Sequence, residues 1–236
     1  MLTACLNGAR GPQEHPRLPV TPAEMAADAA AALAAGADDV HVHIKTADGR
    51  DTLAGRPLAE VLGAIRSVAS GLPVGVTTGA WAMPDPQARV ANIETWQVLP
   101  DAVSVNWHED GAEAVARAAL ERGIAVEAGL WIPANVDSWL RSGLRGECTR
   151  ILVELPDRTD HELTARLAEF MLAQLAPVAL PVQLHGEGAS AWPALRLARR
   201  RGLDIRAGLE DMLTLPDGTL APDNAALITA AAATDS

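Results

Sequence analysis

Residues 102–130 read Ala102-Val-Ser-Val-Asn106-Trp-His-Glu-Asp-Gly111-Ala-Glu-Ala-Val-Ala-Arg-Ala-Ala-Leu-Glu-Arg122-Gly123-Ile-Ala-Val-Glu127-Ala-Gly-Leu130. Residues 102–106 form a short apolar run that reads as a strand, and 112–122 carry the periodicity of a helix. Gly123 falls just past that helix, where a left-handed residue is wanted, and 125–130 reads as the next strand. A helix between two strands returns the chain to the start of the sheet, so the strands it joins run parallel.

The same unit recurs along the whole chain. Strand-like runs fall at 2–6, 39–44, 74–77, 102–106, 125–130, 151–155, 182–184 and 205–209. The first helix opens on Thr21-Pro22-Ala23-Glu24, a capping box with proline at the first helical position, and stops at Gly36. Further helical segments are expected at 57–70, 87–99, 112–122, 136–142, 161–175, 192–201 and 224–233, with Gly71, Gly143 and Gly202, like Gly123, just past helix ends. Eight strand–helix pairs in 236 residues leave about 30 residues per pair, which suits a single (β/α)8 TIM barrel spanning 1–236. A doubly wound open sheet is the competing α/β fold. No G-x-G-x-x-G follows the first strand, however, and polar residues stand at the ends of many strands, as a barrel enzyme requires.

Nineteen Lys+Arg against 30 Asp+Glu give a net charge of −11, and no basic run is present, so no nucleic-acid partner is expected. No apolar run reaches the ~18–20 residues of a spanning helix, and residues 1–10 lack a basic segment leading into an apolar one, so no membrane partner and no export are expected. Cys5 and Cys148 are too few for a disulfide framework and read as small packed hydrophobes of a cytoplasmic protein.

In a barrel the chemistry belongs at the carboxyl ends of the strands. His41-Val-His43 places two imidazoles on one face of strand 2, converging on one point. With an acid from another strand they suit zinc or a similar divalent ion. Glu210-Asp211 stands where strand 8 ends, one acid to complete such a site and the other placed as general base. Arg206, four residues before Glu210, shares its face and reads either as an ion-pair strut or as a clamp for a carboxylate or enolate. Lys45 shares the parity of His41 and His43, which opens a second reading, an aldolase or lyase without CoA that is either metal-dependent or works through a Lys45 Schiff base. Thr77, Thr78 and Gly79 end strand 3, with the threonines as hydrogen-bond donors to substrate. Asn7 and Arg10, Ser104 and Asn106, and Glu127 are candidates from strands 1, 4 and 5. Trp107 and Trp131 are expected as pocket walls, and His185-Gly186-Glu187-Gly188 as a turn. A non-catalytic barrel that binds a small molecule is a third reading.

Taken together, Leu2-Thr-Ala-Cys-Leu-Asn-Gly-Ala9, Pro19-Val-Thr-Pro-Ala-Glu24, His41-Val-His43-Ile44, Thr77-Thr-Gly79, Ser104-Val-Asn106, Arg206-Ala-Gly-Leu-Glu-Asp211 and Pro222-Asp-Asn224-Ala-Ala-Leu227 resemble the β-keto acid cleavage enzymes, in register over almost the whole chain. The resemblance implies a zinc-dependent barrel that cleaves a β-keto acid with acetyl-CoA as co-substrate, giving acetoacetate and an acyl-CoA, and working as a homo-oligomer. By position, His41, His43 and Glu210 would bind zinc and Asp211 would be the general base. Arg206 would position that base and stabilise negative charge, and Thr77 would replace the family's serine at the substrate.

The chain departs from the family pattern in three places. Arg10 stands where the aminohexanoate-cleaving member has a glutamate for the substrate's amino group, so a second carboxylate is expected in place of an amine. Glu127 matches a family acid, but the catalytic glutamate two residues on is Gly129 here. The loop after strand 4 is shorter than in the family, the family's Gly-rich stretch after strand 6 reads Glu154-Leu-Pro-Asp-Arg-Thr-Asp160 here, and the C-terminal helical extension is missing, in regions that the resemblance links to CoA binding or oligomer contacts.

Overall fold

The computed structural model describes residues 1–234. Eight strands alternate with eight helices: β1 (Leu2–Cys5), α1 (Pro22–Ala34), β2 (Asp39–Val42), α2 (Gly55–Val68), β3 (Val74–Thr77), α3 (Pro86–Thr95), β4 (Ala102–Asn106), α4 (Ala112–Glu121), β5 (Ala125–Leu130), α5 (Pro133–Arg141), β6 (Arg150–Leu155), α6 (His161–Leu175), β7 (Val182–Gly186), α7 (Ala191–Arg201), β8 (Ile205–Ala207) and α8 (Asn224–Ala232). All strand pairs are parallel, and β1 lies between β2 and β8. The remaining seam is stitched by Asp204, whose N–H donates to the Val182 carbonyl (3.0 Å) and whose carbonyl accepts from Leu184 (3.1 Å). An open doubly wound sheet has two free edges, so the expected barrel is the fold found.

Strand alternation sorts the chain into an outer and an inner row. The outer row is apolar (Val40, Val76, Val103, Ile151 and Leu184 are all buried) and packs beneath the helices, where most of the hydrophobic burial lies. The inner row is polar. Arg150 on β6 reaches across the barrel to Thr3 Oγ1 on β1 (3.2 Å) and Asp39 Oδ2 on β2 (3.0 Å), and Gln183 on β7 donates to the same threonine (2.8 Å). Buried polar groups of this kind are tolerated because they satisfy one another. They floor the barrel at its amino-terminal end and leave the carboxyl-terminal end to the residues above.

Local sequence accounts for the helix ends. The expected capping box is present: Glu24 N–H donates to Thr21 Oγ1 (3.2 Å) and Thr21 N–H to Glu24 Oε2 (2.8 Å). Gly202 closes α7 in the left-handed region at φ +66°, whereas Gly143 has no positive φ, because α5 ends in an extended Ser142. Helix α5 starts at Pro133, three residues before the expected 136, with the Asn135 side chain accepting from the Trp131 and Ile132 N–H groups. Helix α3 stops at Thr95, short of 99, where Trp96 turns inward and its indole donates to Leu53 O (2.8 Å). No helix is long and apolar enough to cross a membrane among the described residues.

Candidate functional site

The carboxyl ends of the strands open into a cavity of about 360 Å³, within the usual range for a small-molecule site. His41, His43 and Glu210 meet at its floor. One ligand atom from each lies within 4.8 Å of the others, a spacing one divalent ion can bridge. Burial pulls His41 down to about 3, so it is a neutral imidazole with a lone pair to donate. His43 Nε2 lies 3.6 Å from Glu210 Oε1, and its Nδ1 lies 3.0 Å from Asp51 Oδ2. Burial pushes the Glu210 carboxyl up, but Arg206 and the two imidazoles outweigh that and hold it well below the usual carboxylate range. Glu210 Oε2 is buried with no hydrogen-bond partner, an anionic atom still owed a ligand.

The Arg206 guanidinium borders the cavity and grips both acids, with NH2 donating to Glu210 Oε1 (2.9 Å) and Asp211 Oδ1 (2.5 Å) and Nε to Asp211 Oδ2 (3.0 Å). Asp211 is fully buried behind it and does not line the cavity. Burial pushes its carboxyl up to about 7, against the pull of Arg206. Thr77 lines the cavity, and because its Oγ1 accepts the Gly79 N–H (3.1 Å), its own hydroxyl proton is left to donate inward. Ser104 and Asn106 line it too, the Asn106 amide donating to Glu109 and accepting from Trp131 Nε1 (3.1 Å). Arg10 lies on the rim, bound to the Glu210 carbonyl (3.2 Å) and to Glu14 (2.9 Å).

Other candidates take different places. Thr78 faces away and donates to Ser104 O (2.7 Å), as parity with Thr77 requires. Gly79 contributes space: a Cβ there would sit 2.3 Å from the Trp81 ring. Asn7 clamps the backbone of His43 and does not face the cavity. Glu127 lies in the layer below, 3.4 Å from Arg150 Nε, and is absent from the cavity wall. Lys45 lies past the end of β2 and turns away, with its three N–H groups on Asp51 Oδ1 (2.5 Å), Gly8 O (2.6 Å) and Arg10 O (3.1 Å). The nitrogen is thus held away from the cavity, whose lining does not include Lys45. Trp131 is a wall as expected, whereas Trp107 is buried on the outer row.

Three residues that sequence reasoning passed over also belong to the site, as does Glu187, which was expected only as part of a turn. Asp51 and Trp81 adjoin His43, and Glu154 and Glu187 line the wall nearest β6 and β7. His185 is not a turn residue: β7 continues through Gly186, and the ring is buried between Glu154 (3.7 Å) and Asp211 (4.0 Å). The strand alternation of 182–186 was the signal that could have found it.

Residues 1–234 match the profile of the family described as beta-keto acid cleavage enzyme. The 3-keto-5-aminohexanoate cleavage enzyme of Fusobacterium nucleatum subsp. nucleatum is 24% identical over 245 residues, covering 97% of this chain and 88% of that protein. Among solved structures, the binary complex of ObcA with oxaloacetate superposes with a TM-score of 0.70 at 16% identity, covering 91% of this chain. The ternary complex of ObcA with a C4-CoA adduct and oxalate gives the same score and identity. This chain spans 62% of the length of those ObcA chains. A type I 3-dehydroquinate dehydratase from Clostridium difficile shares the barrel at a TM-score of 0.63 and 10% identity.

Proposed function

The chain belongs to the beta-keto acid cleavage enzyme family, and on that premise we propose that it exchanges acyl groups between a β-keto acid and acetyl-CoA, giving acetoacetate and a new acyl-CoA. The observation that carries the proposal is the convergence of His41, His43 and Glu210 at one point of the cavity floor, with Arg206 against Glu210. These residues suit a resident divalent ion, which we take to be zinc: a neutral imidazole, a second imidazole oriented by a carboxylate, and a carboxylate with an unpartnered buried oxygen. Such an ion, when bound, supplies a Lewis acid for the keto oxygen and for the enolate charge.

The chain's own groups do the rest. Asp211 takes the proton from the carbon between the keto and carboxylate groups; its carboxyl, near 7, is matched to that task at neutral pH. Arg206 stands between Asp211 and the cavity, so the transfer requires the guanidinium to shift toward the substrate's carboxylate, which it then holds. The carbanion forms a carbon–carbon bond to the acetyl carbonyl of acetyl-CoA, and the CoA thiolate leaves. That thiolate adds to the original keto carbon, the old carbon–carbon bond breaks, and acetoacetate departs as an enolate that recovers the proton from Asp211. Thr77 and Ser104 bind the substrate's oxygens, and Trp81 and Trp131 wall off the reacting carbons from water.

Arg10 on the rim selects a second carboxylate over an amine. Oxaloacetate, seen with ObcA, is a β-keto dicarboxylate of that class, and the C4-CoA adduct of the ObcA ternary complex supports CoA as co-substrate.

Metal content by elemental analysis, for wild type and His43→Ala, tests the proposal together with mass-spectrometric product analysis of keto-dicarboxylates incubated with acetyl-CoA. Near-stoichiometric divalent metal, lost in the variant, and acetoacetate formed in step with a new acyl-CoA are expected. A wild type that neither carries nor takes up a divalent ion would overturn it.

A further inference from the structure

Asp51 sits in the loop after β2, paired back against Lys45, and its carboxylate is a junction. Oδ2 accepts from His43 Nδ1 (3.0 Å) and from the Trp81 indole Nε1 (2.9 Å), and Oδ1 accepts from Lys45 Nζ (2.5 Å). Lys45 is itself tied to the carbonyls of Gly8 and Arg10 in the loop after β1. The Trp81 ring lies nearly parallel over the His43 imidazole, with centroids 5.7 Å apart and planes 14° apart. Trp81 is 46% exposed, an unusual place for the largest apolar side chain unless the ring is held there. Gly79 clears the space for it.

We propose that Lys45, Asp51 and Trp81 form a positioning device that fixes the tautomer and plane of His43, with the proton on Nδ1 and a bare Nε2 aimed at Glu210 for a divalent cation. The inference rests on the reading of His41, His43 and Glu210 as metal ligands. An ionised carboxylate can only accept, and of the two that flank the ring only Asp51 is within hydrogen-bond distance (3.0 Å, against 3.6 Å to Glu210 Oε1, which already accepts from Arg206), so in the neutral ring the hydrogen sits on Nδ1 and Nε2 is the donor atom. Lys45 and Trp81 can only donate, so they hold the two Asp51 oxygens without competing for the histidine's proton. Trp81 adds a flat cover that keeps the ring from tilting. Lys45 thereby acts on the site through Asp51, as a positioning residue, and not as a nucleophile.

Asp51→Asn separates this device from a plain ion pair. Lys45 retains the amide oxygen, so the amide NH2 faces His43 and donates to Nδ1, forcing the proton onto Nε2. Long-range ¹H–¹⁵N NMR of the metal-free protein, at a pH above the ring's titration, reads the tautomer directly. Wild type should show Nδ1–H and Asp51→Asn should show Nε2–H. Zinc affinity, measured by competition with a chromophoric chelator, should fall roughly 10–100-fold in Asp51→Asn and less than about 10-fold in Trp81→Phe, which keeps the ring and loses the N–H. Thermal melts confirm that each variant is folded, and Trp81→Phe serves if Asp51→Asn is not. An Nε2–H tautomer in wild type, or unchanged tautomer and zinc affinity in Asp51→Asn, overturns the proposal. The expected tautomer switch in a protein that binds no zinc would uphold the lock and overturn the metal reading beneath it.

Discussion

Asn7 holds His43 by both ends of its backbone: its Oδ1 accepts the His43 N–H at 2.9 Å and its Nδ2 donates to the His43 carbonyl at 3.0 Å. Strand β2 ends at Val42, so His43 has left the ladder and the Asn7 amide replaces the missing neighbour strand. The same amide donates to Pro19 O (3.0 Å), tying the loop after β1 to the site. Asn7→Ala strands a buried N–H and carbonyl, and a loss of about 1–3 kcal/mol in urea unfolding is expected, with weaker zinc binding alongside.

Gly8, at φ +56°, lies against Glu210, and a Cβ there would come within 2.5 Å of Glu210 Cγ. Gly8→Ala should cost on the order of 2 kcal/mol through backbone strain and overpacking. It should also displace the carboxylate, so that metal content falls further than the melting temperature suggests.

Arg10 tests substrate choice apart from chemistry. Arg10→Ala should raise KM for a keto-dicarboxylate roughly 10–100-fold, the loss of one charge-assisted hydrogen bond, and leave kcat within a few-fold. An equal loss in kcat would move Arg10 from the rim into the reaction.

Lys45 offers the sharpest exclusion. Borohydride reduction in the presence of a keto acid should leave the intact mass unchanged, because Lys45 is turned onto Asp51 and two carbonyls, away from the cavity. Lys45→Arg should retain measurable turnover. A reduced adduct mapped to Lys45 would restore the imine reading.

Away from the site, burial pushes Asp28 up from 3.8 to about 6, with the Asn224 amide hydrogen bond opposing it. An acid whose folded pKa is raised binds more protons folded than unfolded between those two values, so stability falls as pH rises through that window and stays low above it. Asp28→Asn should therefore be more stable than wild type by up to about 3 kcal/mol at pH 8. That advantage should shrink between pH 6 and pH 4, as melting curves across the range would show.

Much of this was legible in the chain because it depends on local rules. Parity put His41 and His43 together, and the strand–helix rhythm gave the barrel. Arg206 meets Glu210 by another route, because β8 ends at Ala207 and not at the expected 209, and a turn over 208–211 carries the acid back to the guanidinium. Parity also separates Thr77 from Thr78, once the register is known. Depth along the barrel axis was the hidden variable: Glu127 has the correct face but lies a layer too low, against Arg150, because the tilt of the strands decides which residues share a level. Asp51 and Trp81 were hidden for another reason. Each lies in a loop, and only the closure of β2 beside β3 brings an indole from one loop to a carboxylate of the other. Asp211 was tied to Arg206 only through the family resemblance, and nothing in its spacing told that the guanidinium would lie on the cavity side.

The placement of β1 between β2 and β8 bears on how the protein folds. His41 and His43 belong to the second strand and its end whereas Glu210 follows the eighth, so the three side chains meet only when β8 has docked against β1 and the ring is closed. On the proposed reading of these residues as metal ligands, metal binding and ring closure favour one another, since a ring still open at β8 offers two imidazoles without the carboxylate.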